Sequence, residues 1–189
     1  MKKSPVTGGL QRNLGIGEII ITRKNEEIIW TVLGSCVSVI FHVDNVVSMI
    51  CHAQLPYNSI NRKCTNECPH PCGRDFDRSS DNLYVKCSLE YMIKELSAFK
   101  FDKKDLHTTL IGGASVFNIK TDLMPIGELN VKAAKDILKE KNIRINREKT
   151  GGLNGCNLWY NTSSNRLLYK VINEDSQRIE LLNNTFIKN

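Results

Sequence analysis

Two apolar, β-branched runs on either side of a short polar turn constrain the fold of this 189-residue chain most strongly. Residues 36–43 and 46–52 are each typical of a buried strand, and Asp44-Asn45 between them is a turn signal. Antiparallel pairing returns the far end of the second strand to the start of the first. The pattern therefore predicts a hairpin that brings Cys36 and His52 together.

A cysteine beside a histidine is what nucleophilic attack on a carbonyl group requires, because a thiol attacks as thiolate and imidazole can remove its proton. Cys36 follows Gly34-Ser35, and these small residues let backbone N–H groups approach a reacting carbonyl as an oxyanion hole. The alternative is that Cys36 is a packed hydrophobe and His52 an imidazole bonded to a backbone carbonyl. From these residues alone, both interpretations stay open.

Further short motifs follow one another along the chain. They are Gly15-Ile16-Gly17-Glu18, Thr31-Val32-Leu33-Gly34-Ser35-Cys36, His52-Ala53-Gln54-Leu55-Pro56, Ile111-Gly112-Gly113-Ala114-Ser115 and Thr150-Gly151-Gly152. In order and approximate spacing this set resembles the CheD family, the chemoreceptor glutamine deamidases of bacteria and archaea. The resemblance extends roughly from Gly15 to Val171, and several motifs in order are more specific than any one of them.

The resemblance implies a site and a reaction. It implies Cys36 as nucleophile, His52 as general base and Thr31 as the residue that orients the histidine. The reaction converts specific chemoreceptor glutamines to glutamate through a cysteine thioester, without a cofactor, and the same machinery could hydrolyse a glutamyl methyl ester. In a fold of this family, further small residues would line the cleft and contact substrate. They are Ser35, Gly112, Gly113, Ser115 and Thr150.

Partners follow from the resemblance as well. They are the cytoplasmic helices of chemoreceptors and a CheC-type phosphatase, so a competing hypothesis is an interaction protein in which CheC binding matters more than catalysis. The net charge of +6 suits docking against acidic helices. Nucleic-acid binding is not expected, because several lysines lie on what reads as a solvated helix face. They are Lys132, Lys135, Lys139 and Lys141.

Composition is that of an ordinary globular domain, with 41% hydrophobic and 24% charged residues. No apolar run approaches the roughly 20 residues that cross a bilayer, so membrane insertion is not expected. The start of the chain, Met1-Lys2-Lys3, leads into polar residues and not into the apolar stretch of a signal peptide. We therefore expect a cytoplasmic protein.

Strand signals outnumber helix signals along the chain. Strands are predicted over residues 18–22, 28–31, 36–43, 46–52, 107–111, 143–147, 157–160 and 167–172, and helices over 85–99 and 131–141, the second starting after Asn130. This predicts a single α/β domain, a largely antiparallel sheet or sandwich covered by two or three helices. We place a flexible leader at 1–13, the CheD-like domain at 14–173 and an appendage at 174–189.

A Cys-rich insertion at residues 57–82 departs from the family pattern. Three thiols and an imidazole within nine residues match the soft ligands of a structural zinc site, although the spacing is not that of a common zinc finger. They are Cys64, Cys68, His70 and Cys72. Zinc or iron binding, a reversible disulfide and an unstructured loop stay open as alternatives. In the first two, this loop would make the protein a metal-regulated or redox-regulated module.

Overall fold

The computed structural model describes residues 9–23, 26–57, 81–115, 124–173 and 179–182. Within them the strands are β1 (Leu10–Asn13), β2 (Ile19–Thr22), β3 (Glu27–Leu33), β4 (Val37–Val43), β5 (Val47–Cys51), β6 (His107–Gly112), β7 (Arg147–Thr150), β8 (Cys156–Asn161), β9 (Leu167–Val171) and β10 (Glu180–Leu181). The α-helices of the described chain are α1 (Val85–Leu96) and α2 (Ile126–Glu140). None of its helices is long and apolar enough to span a membrane.

The described strands form two five-stranded sheets, with orders β1-β3-β8-β9-β10 and β2-β5-β4-β6-β7. All neighbouring strands pair antiparallel except β1 with β3 and β6 with β7, which are parallel. The prediction of one α/β domain with largely antiparallel sheets and covering helices is confirmed. Leu10–Asn13, from the predicted leader, forms the edge strand beside β3.

The second sheet is the middle of three layers, with the helices on its outer face and the first sheet on its inner face. Every residue of β4 is therefore buried, as expected for a strand covered on both faces. Strand β3 alternates instead: Thr31 and Leu33 are buried against the other sheet, whereas Trp30 and Val32 are exposed. Two hydrophobic clusters result, one under the helices and one between the sheets.

Helix α2 begins at Ile126, five residues before the predicted start at Val131. Asn130 is therefore not the residue before the helix but a fully buried position inside it. The early turn packs backbone to backbone, because a Cβ on Gly127 would lie 2.6 Å from the carbonyl oxygens of Gly113 and Ala114. A periodicity search could not find this turn, since its contacts need no apolar side chain.

The strand predicted over 143–147 is displaced to Arg147–Thr150. Ile143 and Ile145 pack under the helices without entering a strand, and the charged residues that follow pair in parallel with β6. Strand β7 lies at the edge of its sheet, so backbone hydrogen bonds on one side suffice to hold it. The apolar residues were thus assigned to the wrong kind of element.

Candidate active site

The β4–β5 hairpin delivers Cys36 and His52 to one end of the sandwich. Its turn contains Asn45 at φ 57°, and the ladder continues beyond both strands through Val37 and Ala53, which exchange two backbone hydrogen bonds of 2.9 Å. Register then places Cys36 and His52 diagonally across the pair, on the face that packs against the other sheet. The predicted hairpin is confirmed, and its register places Cys36 and His52 on one face at the same end of the strand pair.

Thr31 reaches His52 from the opposite sheet. Its hydroxyl donates to the carbonyl oxygen of Leu14 at 2.7 Å, and its Oγ1 lies 2.8 Å from His52 Nδ1. Since the one hydroxyl proton goes to Leu14, Thr31 accepts from Nδ1–H. The imidazole is then the tautomer with its lone pair on Nε2, and this buried atom has no hydrogen-bond partner among the residues that the structure describes. A partnerless basic nitrogen is what a general base requires.

Burial sets the resting charges of the pair, since Cys36 is 7% exposed and His52 3%. It raises the pKa of Cys36, against the opposing effect of that residue's own backbone N–H. It lowers the pKa of His52, against the opposing effects of the Leu14 carbonyl and the Glu18 carboxylate. At neutral pH the pair therefore rests as thiol and neutral imidazole, with the base free to accept a proton.

Three successive carbonyl oxygens of the turn before β4 are each held from outside. The oxygen of Gly34 accepts from Ala114 N at 3.0 Å, that of Ser35 from Asn130 Nδ2 at 2.9 Å, and that of Cys36 from Gly113 N at 2.7 Å. The turn that carries Cys36 is therefore fixed from two directions, by the segment after β6 and by α2.

Glycine is required at Gly112 for this arrangement. Its φ is +110°, and a Cβ there would lie 2.3 Å from the carbonyl oxygen of Cys36. Gly113 follows with φ +73° and donates to that same oxygen at 2.7 Å. Gly112 and Gly113 thus support the turn that carries Cys36 directly.

Comparison with known proteins bears on these residues. The family model for CheD, described as CheD chemotactic sensory transduction, matches residues 69–171. A relative from Pyrococcus abyssi, named probable chemoreceptor glutamine deamidase CheD, is 35% identical over 164 residues, which cover 84% of this chain and 91% of that relative. The chain belongs to the CheD family. The predicted resemblance is confirmed.

Other CheD relatives extend the likeness over most of the chain. The Halalkalibacterium halodurans protein named chemoreceptor glutamine deamidase CheD is 27% identical over 169 residues, covering 88% of this chain and 96% of that relative. The probable chemoreceptor glutamine deamidase of Caldanaerobacter subterraneus is 31% identical over 164 residues, covering 84% and 91% respectively. The shared region includes both the hairpin and the glycine turns.

A cavity of about 110 Å³ lies beside the turn that carries Cys36 in this CheD chain. Its lining includes Gly34, Gly112, Gly151 and Cys156, so backbone forms much of the wall. Thr150 borders a second, wider groove together with Gly113, and its hydroxyl donates to Glu148 at 2.6 Å. The backbone N–H of Ser115 donates to Gly152 at 2.8 Å. Gly112 therefore lines the first opening, and Gly113 and Thr150 border the second, whereas neither Ser35 nor Ser115 is among the described residues that line either one.

Two contributors to the site were missed from the sequence. The Leu14 carbonyl fixes the direction of the Thr31 hydroxyl, and a backbone oxygen has no sequence signature. Asn130 was read as the residue before a helix, where asparagine is common, so its polar character suggested nothing more. Its burial inside α2 could have been suspected only if the helix start had been placed correctly.

The predicted metal ligands lie outside the described residues. This concerns Cys64, Cys68, His70 and Cys72. Among the residues that the structure does describe, no group of three or more His, Cys, Asp or Glu side chains could hold a metal ion.

Proposed function

We propose that this protein deamidates glutamine side chains of chemoreceptors, with Cys36 as nucleophile, His52 as general base and Thr31 as the residue that orients the base. The observation that carries the proposal is the arrangement of His52. Its Nδ1 is 2.8 Å from Thr31 Oγ1, and its Nε2, on the face that His52 shares with Cys36, is buried and has no hydrogen-bond partner among the described residues. The names of the CheD relatives indicate the substrate class. Deamidation of glutamine by a cysteine nucleophile requires no cofactor.

The first half of the reaction forms a thioester. His52 Nε2 takes the Cys36 thiol proton as sulfur attacks the carboxamide carbon, and the carbonyl electrons move onto oxygen. The resulting imidazolium returns that proton to the departing nitrogen, so the carbon–nitrogen bond breaks and ammonia leaves. A γ-glutamyl thioester and a neutral imidazole remain. The resting charges of the pair suit this sequence, because the base starts neutral.

Backbone donors of the nucleophile turn are suited to hold the oxyanion. Its three carbonyl oxygens are all engaged, whereas within the described chain no backbone carbonyl accepts from the N–H of Ser35 or Cys36. Fixed N–H donors of this kind stabilise the charge that develops on a carbonyl oxygen. We assign the oxyanion hole to these two groups.

The second half of the reaction hydrolyses the thioester. His52 Nε2 removes a proton from water, the oxygen attacks the thioester carbon, and the proton passes to sulfur as the carbon–sulfur bond breaks. Glutamate and the Cys36 thiol result. A glutamyl methyl ester would follow the same steps with methanol as the leaving group, so methylesterase activity belongs to the same proposal.

The adjoining cavity is the proposed place of the glutamine side chain. Gly112 lines it, and Ser35 lies in the turn beside it; Gly113 and Thr150 extend the contact surface toward the wider groove. We assign Ser115 to substrate contact from the family resemblance alone. Lys149 also lines the cavity, and the chain carries a net charge of +6. Such charge favours approach of an acidic receptor helix in the cytoplasm. Binding of a CheC-type phosphatase rests on the family resemblance alone.

Mass spectrometry of a chemoreceptor cytoplasmic fragment incubated with the protein tests the proposal. Each deamidated glutamine adds about 1 Da, because an acid replaces an amide. We expect this gain at specific glutamines with the wild type and none with Cys36→Ser, whose hydroxyl lacks the intrinsic nucleophilicity of a thiol. Retention of most activity in Cys36→Ser would remove Cys36 from its role.

A further inference from the structure

Asn130 is a buried polar residue whose side chain bonds to both halves of the candidate site. It lies inside α2 and is 0% exposed. Its Nδ2 donates to the carbonyl oxygen of Ser35 at 2.9 Å and to that of Gln54 at 2.8 Å. Ser35 directly precedes the nucleophile, and Gln54 follows the base by two residues. One amide group therefore ties together the backbones that carry Cys36 and His52.

We propose that Asn130 is a positioning residue that sets the distance between the nucleophile and the base. The inference rests on the proposed function and deepens it, because it names what holds the catalytic pair in register. Asn130 touches neither reacting group, so it acts only through the two backbone segments that it joins.

The chemistry of the carboxamide suits this role. Its NH₂ group has two protons, one for each carbonyl oxygen, and no other side-chain type of this length offers two donors without a positive charge. The Oδ1 atom is buried and has no hydrogen-bond partner within the described residues. Leaving a buried acceptor unpaired costs about 1–3 kcal/mol. A side chain kept at that cost, with both donors directed at the site, is better explained by positioning than by stability.

The two hydrogen bonds from Asn130 Nδ2 to Ser35 and Gln54 form what we call the clamp. Its location on α2 makes it rigid. Gly127, one turn earlier, packs its backbone against the carbonyls of Gly113 and Ala114, and these two residues donate to the carbonyl oxygens of Cys36 and Gly34. The helix therefore holds the nucleophile turn twice, through the Gly113-Ala114 segment and through the amide of Asn130. Only the amide contact also reaches the segment that carries the base.

Two variants separate this role from a general contribution to folding. Asn130→Asp keeps size and shape but presents a carboxylate to two carbonyl oxygens, and Asn130→Ala removes the group from a helix that already contains Ala133 and Ala134. Asn146→Ala is the matched control, because the partly buried Asn146 side chain also bonds to backbone: its Oδ1 accepts from Thr108 N at 2.8 Å, at the other end of the sheet. The full-length protein is used throughout.

Two measurements are made on each variant. The first is the rate at which iodoacetamide alkylates Cys36 in the folded protein, followed by peptide mass mapping; we expect a rise of about threefold or more once the turn is released, since local opening exposes a buried group. The second is deamidation, where we expect kcat to fall about 10-fold to 100-fold with KM little changed, as misplacement of reacting groups by about 1 Å would produce.

The alkylation rate decides the inference independently of deamidation. If neither Asn130 variant changes it, or if Asn146→Ala changes it equally, the clamp is overturned. If the wild type deamidates no receptor glutamine while the Asn130 variants still alter Cys36 alkylation, the proposed substrate fails and the clamp stands. If alkylation changes but kcat stays within about twofold in both variants, Asn130 does not position the pair for catalysis and the inference is overturned.

Discussion

The two ends of the β4–β5 hairpin each bury a histidine between the sheets, and the two histidines are treated differently. His42 is 2% exposed and His52 is 3% exposed, and burial lowers the pKa of both. Both nitrogens of His42 are engaged: Nε2 lies 2.7 Å from Asp44, and Nδ1 lies 2.9 Å from both Ser48 and Tyr160. Within the described residues, His52 makes hydrogen bonds at Nδ1, and its Nε2 has no hydrogen-bond partner.

The difference shows that two equally buried histidines can differ in whether a ring nitrogen is left without a hydrogen-bond partner. Ser48, His42 and Asp44 resemble a Ser-His-Asp arrangement. However, the Ser48 hydroxyl donates to the Thr162 carbonyl at 3.2 Å and is buried at the end of the sandwich where the β4–β5 hairpin turns. The hydrogen bonds of His42 link β4 and β5 to β8 and satisfy the ring. At the other end, His52 Nε2 has no hydrogen-bond partner in the described part of the chain, as the proposed role of general base requires.

Exchanging each histidine for glutamine should produce the largest contrast. We expect His52→Gln to lower kcat/KM by about 10³-fold or more, because the general base is lost. His42→Gln should leave kcat within about twofold and destabilise the fold by about 1–3 kcal/mol, because a buried network is broken. Deamidation assays and denaturant unfolding of both variants measure this. Loss of activity in folded His42→Gln would break the comparison.

Removing the hydroxyl beside each histidine should give a smaller contrast. Thr31→Val keeps the shape of the side chain but frees His52 Nδ1, and we expect kcat to fall by about 10-fold to 1,000-fold, as when an orienting residue is lost from a triad. Ser48→Ala removes the corresponding hydroxyl from His42 and should leave kcat unchanged. Initial rates at saturating substrate distinguish the two. An unchanged rate in Thr31→Val would remove Thr31 from the site.

The pH profiles test the resting charges at the catalytic end. Burial lowers the pKa of His52, so the neutral base should persist as pH falls from 7, and kcat/KM should decline only below the ordinary histidine pKa of about 6.5. Burial raises the pKa of Cys36, so its alkylation should reach half its maximal rate above the ordinary thiol pKa of about 8.5. An alkylation midpoint below pH 7 would mean a resting ion pair.

The smallest effect on stability is expected at the hairpin-turn end, around His42. Tyr160→Phe removes a hydroxyl that lies 2.9 Å from His42 Nδ1 and donates to Ser48 at 3.1 Å. Ser48 stays within hydrogen-bond distance of the ring, so we expect a loss of about 1 kcal/mol in the free energy of unfolding and no change in kcat. Urea unfolding monitored by circular dichroism measures it. A loss of activity would show that the two ends are coupled.

Residue pattern was enough to predict the hairpin and the pair at its open end. β-Branched runs with a turn between them allow few pairings, and the register follows once the turn is placed. The charged edge strand β7 and the early start of α2 were not predicted, because backbone contacts hold both. The role of Asn130 was not predicted either, because its partners are backbone carbonyls of Ser35 and Gln54, which are 95 and 76 residues away along the chain.

The sequence by itself determined that Cys36 and His52 lie at the same end of one hairpin, because local strand pairing sets that register. Only the tertiary structure decided which nitrogen of the imidazole is free. That choice depends on Thr31 in the opposite sheet and on a carbonyl oxygen of Leu14, which no residue type encodes. Local pattern fixes which groups come close, and long-range hydrogen bonds fix their protonation and direction.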